Sequence, residues 1–333
     1  MIDIKDLAGL SEPLKKLIEV IAEGIGAISH PLLVKANANA KAHEIRTIAQ
    51  AITDSQKLPG TMKYEVGSVI IESSSKQEIL TPTEADTEQI ILMRVAYQQA
   101  KKQSNIEHVV QHAVEELKSE QEVTQEKPDS DWVTRFFNIS EDISTDHMQI
   151  LWGKILAGEV KRPGSYSLRT LELLKNINLQ EAELFVKASK IAVAAMGIVF
   201  IPSQDDDKYL EEKLGLSFTD ILSLREIGLL VTTDLQFRLN PTIENEQTVF
   251  KLGSTYVIVD RVKDTPEQGL GCMVFTEIGK QLFQLIEQSP ADFEYVKRFA
   301  GFWRREGVQI KSGTIIEKRN DSIIFADLQE IPV

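Results

Sequence analysis

The pattern of apolar and polar positions predicts a mainly α-helical chain with a smaller α+β part at its C-terminal end. Apolar residues recur at helical spacing up to about residue 196, and alternating apolar and polar residues replace that spacing after Gly197. The predicted parts are an N-terminal helical segment (1–52), a linker (53–82), a central helical domain (83–196), a winged-helix-like module (197–288) and a C-terminal α+β extension (289–333). The winged-helix prediction depends on a short helix that ends at Gly228 and on the alternating runs that follow it.

The N-terminal segment contains an amphipathic helix that begins at Ser11. The apolar residues that share one face of this helix are Leu14, Leu17, Ile18, Ile21, Ile25 and Ile28. An isolated helix cannot hide such a face, and each large aliphatic side chain that is buried contributes about 1.5–3 kcal/mol. We therefore predict that this face contacts another subunit or a membrane surface. Docking onto the same chain is the alternative.

The most residue-specific part of the sequence, the signature block, runs from Asp131 to Lys175. Its motifs are Asp131-Trp132, Phe136-Phe137, Ile143-Ser144, Leu151-Trp152, the segment 155–159 (ILAGE), Pro163-Gly164 and the segment 167–171 (SLRTL). With these motifs, residues 85–290 resemble a bacterial family of domains of unknown function. The candidate functional residues of the block are Trp132, Trp152, Glu159 and Arg169, and the two tryptophans also fit the role of core anchors.

The order of the segments is also similar to that of the abortive-infection alpha-type proteins. The shared features are an N-terminal helix of small residues, a helical middle and a C-terminal segment with the pattern GLL…FTEIG. This second resemblance rests on layout, and it implies a role in bacterial defence against phage. Neither resemblance supplies a catalytic residue.

The composition excludes several classes of protein. A chain of 333 residues that is 42% hydrophobic is too apolar to be wholly disordered. Cys272 is the single cysteine, so no disulfide framework or cysteine zinc site is expected. No signal peptide is visible, and no apolar run reaches the ~20 residues that a membrane helix needs. We expect a cytoplasmic protein, with peripheral attachment to the inner membrane as the alternative.

Two groupings in the sequence have the residue types of a metal site. His108 and His112 share a helix face at the spacing of two metal ligands. The glutamate of a metalloprotease HExxH motif is absent, because Val109 follows His108. The acidic run 205–207 follows a Pro-Ser-Gln segment and fits a solvated loop. We predict no bound metal and no cofactor.

Acid–base chemistry has one candidate grouping in the signature block. Its residues are Glu141, Asp142, Asp146, Glu159 and Arg169. Carboxylates beside an arginine could transfer protons, yet helix caps and ion pairs explain the same residues without chemistry. We assign no catalytic residue and expect a protein that is not an enzyme.

Nucleic acid is the less favoured partner. The formal net charge of −13 opposes nonspecific binding to it over most of the surface. The most basic part, residues 291–320, has seven Lys and Arg residues against four acids, and Phe302-Trp303 precedes Arg304-Arg305 there. Arg304 and Arg305 are therefore interaction candidates.

Three classes of function remain open. The first is a non-enzymatic, self-assembling interaction or sensor protein, for which we expect a homo-oligomer or another protein partner and a link to phage defence. The second is an effector that acts on membranes through its N-terminal amphipathic helix. The third is a regulator that binds nucleic acid through its C-terminal module.

Overall fold

The computed structural model describes residues 11–25, 61–65, 68–72, 84–203, 207–212, 215–239, 247–261, 267–319 and 322–331. The chain divides into two compact units, Met1–Ser165 (unit 1) and Tyr166–Val333 (unit 2). Some of the predictions above concern residues outside the described ranges, namely Ile28, Asp205 and Asp206.

Unit 1 is built from four described helices and a small hairpin. The helices are α1 (Glu12–Ile25), α2 (Glu84–Leu117), α3 (Ser130–Ser140) and α4 (Asp146–Lys161). The strands β1 (Thr61–Glu65) and β2 (Ser68–Glu72) pair antiparallel. The second half of α2 packs along α4, and α1 packs against α3 and α4, so these helices share one apolar core.

The helix boundaries of unit 1 follow from local capping with some exceptions. The Asp129 side chain accepts a hydrogen bond from the Trp132 backbone N–H, which starts α3. In the structure Thr145 is the N-cap residue of α4, which continues to Lys161. Gly158 does not end the helix: it is not among the glycines with a positive φ, and the helical backbone continues through it.

Unit 2 combines short helices with one large sheet. Its helices are α5 (Leu168–Asn176), α6 (Leu179–Lys190), α7 (Asp207–Glu212), α8 (Phe218–Glu226), α9 (Glu277–Phe283) and α10 (Phe293–Trp303). Its strands are β3 (Val193–Ala195), β4 (Ile198–Pro202), β5 (Leu235–Leu239), β6 (Gln247–Leu252), β7 (Thr255–Arg261), β8 (Gln268–Val274), β9 (Val308–Arg319) and β10 (Ser322–Glu330). A capping box of Asn178 and Glu181 starts α6.

The prediction of a mainly helical chain with a winged-helix-like module is wrong. The eight strands of unit 2 form a single antiparallel sheet in the order β10-β9-β7-β6-β3-β4-β8-β5. Strands assigned to the helical domain, the module and the C-terminal extension all belong to this sheet. The fold is therefore α+β, with a helical unit followed by a unit built on a large sheet. Alternation along the sequence identifies individual strands, but their pairing depends on contacts between distant segments.

The central hairpin of the sheet was missed because its sequence is a continuous apolar run. The predicted helical domain extends to residue 196 and so includes β3, because a continuous apolar run such as 191–202 does not distinguish a helix from a buried strand. Met196 and Gly197 both have positive φ, at 49° and 80°. Two such residues between paired strands form the tight turn that suits a hairpin, and here they join β3 to β4.

Aromatic side chains form the core between the sheet and α10. Phe250 lies 5.0 Å from Phe299 and 5.2 Å from Trp303, measured between ring centroids. Phe237 contacts both Phe250 and Trp303. Helix α10 begins at the Asp292 side chain, which accepts hydrogen bonds from two backbone N–H groups of its first turn. The aromatic cluster joins the last helix of unit 2 to the sheet.

Among the helices that the structure describes, none combines the length and apolar character needed to cross a bilayer.

Candidate interaction surface

The first half of α2 carries large apolar side chains that are exposed to solvent. The exposed fractions are 60% for Ile90, 46% for Ile91, 60% for Leu92, 45% for Val95 and 39% for Tyr97. Residues 90–97 cover more than two turns of helix, so these side chains surround the helix axis. A helix that is apolar on every side is normally buried. We call residues 90–97 the exposed segment of α2.

The second half of α2 is held firmly in unit 1. Its buried apolar residues are Ile106, Val109, Val110, Ala113, Val114 and Leu117. At the point where α2 enters the unit, the Lys102 ammonium donates a hydrogen bond to the Glu141 carboxylate at 2.7 Å. The Asn105 side-chain amide donates to the Glu141 backbone carbonyl at 2.6 Å. The exposed segment is thus a direct extension of an anchored helix.

A glycine allows α2 and α4 to approach each other closely. A Cβ atom added at Gly153 would overlap the Cβ atom of His112 and would lie 3.0 Å from the backbone nitrogen of Ala113. Burial at this crossing lowers the pKa of His112, and the neighbouring His108 lowers it further. The two histidines are therefore part of the packing between two helices. Among the residues that the structure describes, no group of three or more His, Cys, Asp or Glu side chains could hold a metal ion.

The apolar face of α1 is covered by unit 1 itself. Leu17, Ile18 and Ile21 are buried, and Ile25 is half-buried. A Cβ atom added at Gly24 would overlap the ring of Phe137 on α3, so the two helices are in close contact. Over residues 12–25, the apolar face of α1 thus packs onto its own chain. This is the alternative that the sequence left open.

A buried lysine adds a polar contact to the docking of α1. The Lys16 ammonium donates a hydrogen bond to the backbone carbonyl of Thr124 at 2.9 Å. Burial lowers the pKa of Lys16, and the charges of Glu126, Glu159 and Glu19 oppose that shift. The contact fixes the position of α1 along the segment that precedes α3.

The two tryptophans of the signature block lie in the core of unit 1. Trp132 stacks on Phe136 with ring centroids 5.0 Å apart, and Phe136 contacts Trp152 at 5.3 Å. Trp152 is fully buried and Trp132 is almost fully buried. Leu151 is only half-buried, although its spacing suggested a core position. Both indoles have the surroundings of core anchors.

The charged candidates of the signature block occupy different environments. Glu159 is buried in unit 1, and its carboxylate accepts a hydrogen bond from the Gly164 backbone N–H at 2.5 Å. This bond closes the turn that follows α4. Arg169 is exposed on α5 in unit 2. Asp146 is exposed in the first turn of α4, where a negative charge favours the helix. Glu159 and Asp146 therefore stabilise the turn and the helix in which they lie.

The basic residues near α10 have aromatic and acidic neighbours within unit 2. Lys297 lies over the ring of Phe293 at 4.7 Å and also pairs with Glu294 at 3.1 Å. Arg298 lies over the ring of Tyr209 at 3.9 Å. These aromatic faces are therefore covered by cations of the same chain, which leaves them poorly placed to stack on bases. Arg304 and Arg305 follow α10 and are exposed.

Sequence reasoning did not single out the exposed segment of α2. The signal was present, because residues 90–97 read IILMRVAY and include a single charge. The periodic pattern was assigned to one long helix, and nothing in that pattern showed that the core of unit 1 covers only its second half. A helix that lacks a polar face needs cover on every side, and that rule could have identified the segment.

The chain belongs to a family of proteins of unknown function (DUF2806), whose model matches residues 89–300. This confirms the resemblance drawn from the signature block. The matched region begins within α2, includes the exposed segment and extends into α10. No curated protein and no solved structure matches the chain.

Proposed function

We propose that this protein is a non-enzymatic interaction protein that assembles with copies of itself through the exposed segment of α2. The observation that carries the proposal is the exposure of Ile90, Ile91, Leu92, Val95 and Tyr97 on an anchored helix. Contiguous apolar surface of this kind marks sites of contact with a protein or a membrane. We also propose a role in phage defence, which the layout of the segments implies.

The size of the apolar surface is sufficient for reversible association. Full burial of a large apolar side chain contributes about 1.5–3 kcal/mol, so five half-exposed side chains in each of two copies contribute at most on the order of 10 kcal/mol, when the contact covers all of them. Association costs about 4–15 kcal/mol in lost freedom of motion. The two quantities are similar, so we expect an assembly whose population depends on protein concentration.

A second copy fits this surface better than a bilayer does, because α2 is charged at both ends of the exposed segment. In the sequence Glu84, Asp86 and Glu88 precede it and Lys101 follows it, whereas Lys102 is paired with Glu141 of the same chain. One copy therefore offers both signs of charge to another copy. The anionic headgroups of a membrane would attract only the basic end.

The two other classes of function have less support. The apolar face of α1 that would meet a membrane is packed inside unit 1 over residues 12–25. The aromatic rings beside the basic residues of α10 are covered by Lys297 and Arg298. Self-assembly uses a surface that is exposed.

The proposal is tested by the mass of the protein in solution. In the first variant Ile90, Ile91, Leu92 and Val95 are all replaced by Gln, which keeps helix propensity but removes apolar surface. The matched control replaces four exposed apolar residues of unit 2 by Gln: Leu179, Phe218, Leu222 and Leu235. Light scattering after size exclusion measures the mass, and circular dichroism checks that both variants keep their helix content.

We expect the α2 variant to have the mass of one chain and the control to keep the mass of the unaltered protein. Dissociation of the control, with an unchanged α2 variant, would place the assembly surface in unit 2 and overturn the proposal. A monomeric unaltered protein that floats with liposomes, while the α2 variant does not, would overturn it in favour of a membrane.

A further inference from the structure

The exposed segment of α2 has two apolar faces. An α-helix turns by about 100° per residue, which places Ile91, Leu92 and Val95 within an arc of about 100°. Ile90 and Tyr97 lie about 20° apart, and they are roughly 160° away from the centre of that arc. We call the first group face A and the second group face B. The exposed apolar side chains therefore lie on nearly opposite sides of the helix.

A polar strip separates the two faces on the solvent side. Arg94, Gln98 and Lys101 follow one another at the spacing i, i+4 and i+7, so they share one side of the helix between face A and face B. All three are exposed. On the remaining side of the helix Met93 and Ala96 are half-buried. A partner that covers one apolar face therefore leaves the other face in water.

Face A is in line with the side of α2 that is buried in unit 1. The buried apolar residues run from Ile106 to Leu117, and the centre of their arc lies within about 20° of the centre of face A. Face B has no such continuation. Farther along the helix its side carries the half-buried His108 and the exposed Glu115. Face B is therefore an apolar site of its own, and it is not the end of the core of unit 1.

We infer that face A and face B each bind a different copy of the protein, so that the assembly contains more than two copies. The inference rests on the proposed function, because it specifies how many partners the exposed segment takes. One helix packs against one side of another, since the ridges of side chains on one surface fill the grooves of the other. Burial of both faces therefore requires two partners.

The position of the two faces favours copies of the protein over a bilayer. A helix that lies in a membrane surface has one apolar side and one polar side. With apolar faces on nearly opposite sides, any orientation of α2 on a flat surface leaves one of them in water. Arg94 and Lys101 lie at the rim of both contacts, where they attract a copy whose formal net charge is −13.

Substitutions on one face at a time test the inference. The face A variant is Leu92→Gln/Val95→Gln, and the face B variant is Ile90→Gln/Tyr97→Gln. The matched control, Arg94→Gln/Gln98→Ala, changes two exposed residues of the polar strip on the same helix. Sedimentation velocity over a series of protein concentrations measures the species that each protein forms. Circular dichroism checks that the helix content is kept.

We expect the unaltered protein and the control to form species of more than two chains at high concentration, and both face variants to lose these species. If only one face variant loses them, a single face carries the assembly and the inference is wrong. An unaltered protein that stops at two chains at every concentration would also overturn it, while self-assembly through α2 would stand. A monomeric unaltered protein would overturn the proposed function together with this inference.

Discussion

Gly153, where α2 and α4 cross, is a site at which a glycine-to-alanine substitution should lower the free energy of unfolding. Gly153→Ala adds one methyl group in the interior of a helix. At a site with free space, this change stabilises a helix by about 1 kcal/mol, because glycine has the larger entropic cost of folding. At Gly153 the new Cβ atom would overlap the Cβ atom of His112 and lie 3.0 Å from backbone atoms of α2.

The overlap is expected to outweigh the gain in helix propensity. Carbon atoms in ordinary contact are about 3.5–4.0 Å apart, so α2 and α4 would have to separate. The nearest atoms are a Cβ atom and the backbone, and a change of side-chain rotamer cannot move them. Overpacking of a core costs about 1–3 kcal/mol. We expect Gly153→Ala to lower the free energy of unfolding of unit 1 by up to roughly 2 kcal/mol after the helix-propensity gain is subtracted.

Guanidinium unfolding followed by tryptophan fluorescence measures this change. Trp303→Phe in the background removes the tryptophan of unit 2, so that Trp132 and Trp152 report on unit 1. Lys154→Ala is the matched control, because it changes the neighbouring residue of the same helix without adding a Cβ atom. We expect the control to lie within about 0.5 kcal/mol of the unaltered protein. A Gly153→Ala variant that is more stable than the unaltered protein would refute the close approach of α2 and α4.

Two further predictions concern the core of unit 1. Trp152→Ala should lower the free energy of unfolding by roughly 3–5 kcal/mol because Trp152 is fully buried. Trp152→Phe should cost less, because the indole N–H has no hydrogen-bond partner among the residues that the structure describes. Equal losses in guanidinium unfolding would contradict this. Burial lowers the pKa of His112 in the folded protein, whereas in the unfolded chain the pKa of a histidine is about 6.5. Below about pH 6.5 the unfolded chain therefore binds more protons than the folded protein, and stability falls as the pH drops. His112→Gln should flatten the fall in melting temperature between about pH 7 and pH 5, and an unchanged slope would contradict the assignment.

The parts of the fold that depend on neighbouring residues could be predicted from the sequence. The apolar spacing of α4 correctly indicated that Trp152, Ile155 and Leu156 are buried. The capping box at Asn178 is also local, because both of its partners lie within one turn of helix. The strands between residues 247 and 261 follow from alternation along the chain.

The features that depend on distant contacts could not be predicted in the same way. The β3–β4 hairpin lies between β6 and β8 in the sheet, so its partners come from segments about 57–74 residues later in the chain. A helix followed by hairpin strands predicted a winged-helix-like module from local sequence alone. In the structure these strands are instead part of one eight-stranded sheet.

The exposure of the interaction surface also depends on distant contacts and could not be predicted from the sequence. The apolar face of α1 and the exposed segment of α2 both read as apolar helix in the sequence. Leu17, Ile18 and Ile21 are buried in unit 1, whereas Ile90 and Leu92 are exposed. This difference depends on which segments the core of unit 1 covers, and that coverage is set by the packing of α3 and α4. The sequence analysis identified only the face of α1 as a surface that requires cover, and the structure shows that this face is buried whereas the segment of α2 is exposed.

The concentration dependence of the mass of the unaltered protein tests self-assembly through α2 most directly. Sedimentation equilibrium is measured over a series of protein concentrations, in parallel with the variant in which Ile90, Ile91, Leu92 and Val95 are replaced by Gln. We predict that the unaltered protein approaches at least twice the 37.4 kDa of one chain at high concentration and falls towards one chain on dilution, while the variant stays at one chain throughout. An unaltered protein with the mass of one chain at every concentration, or a variant that assembles equally well, would contradict the account.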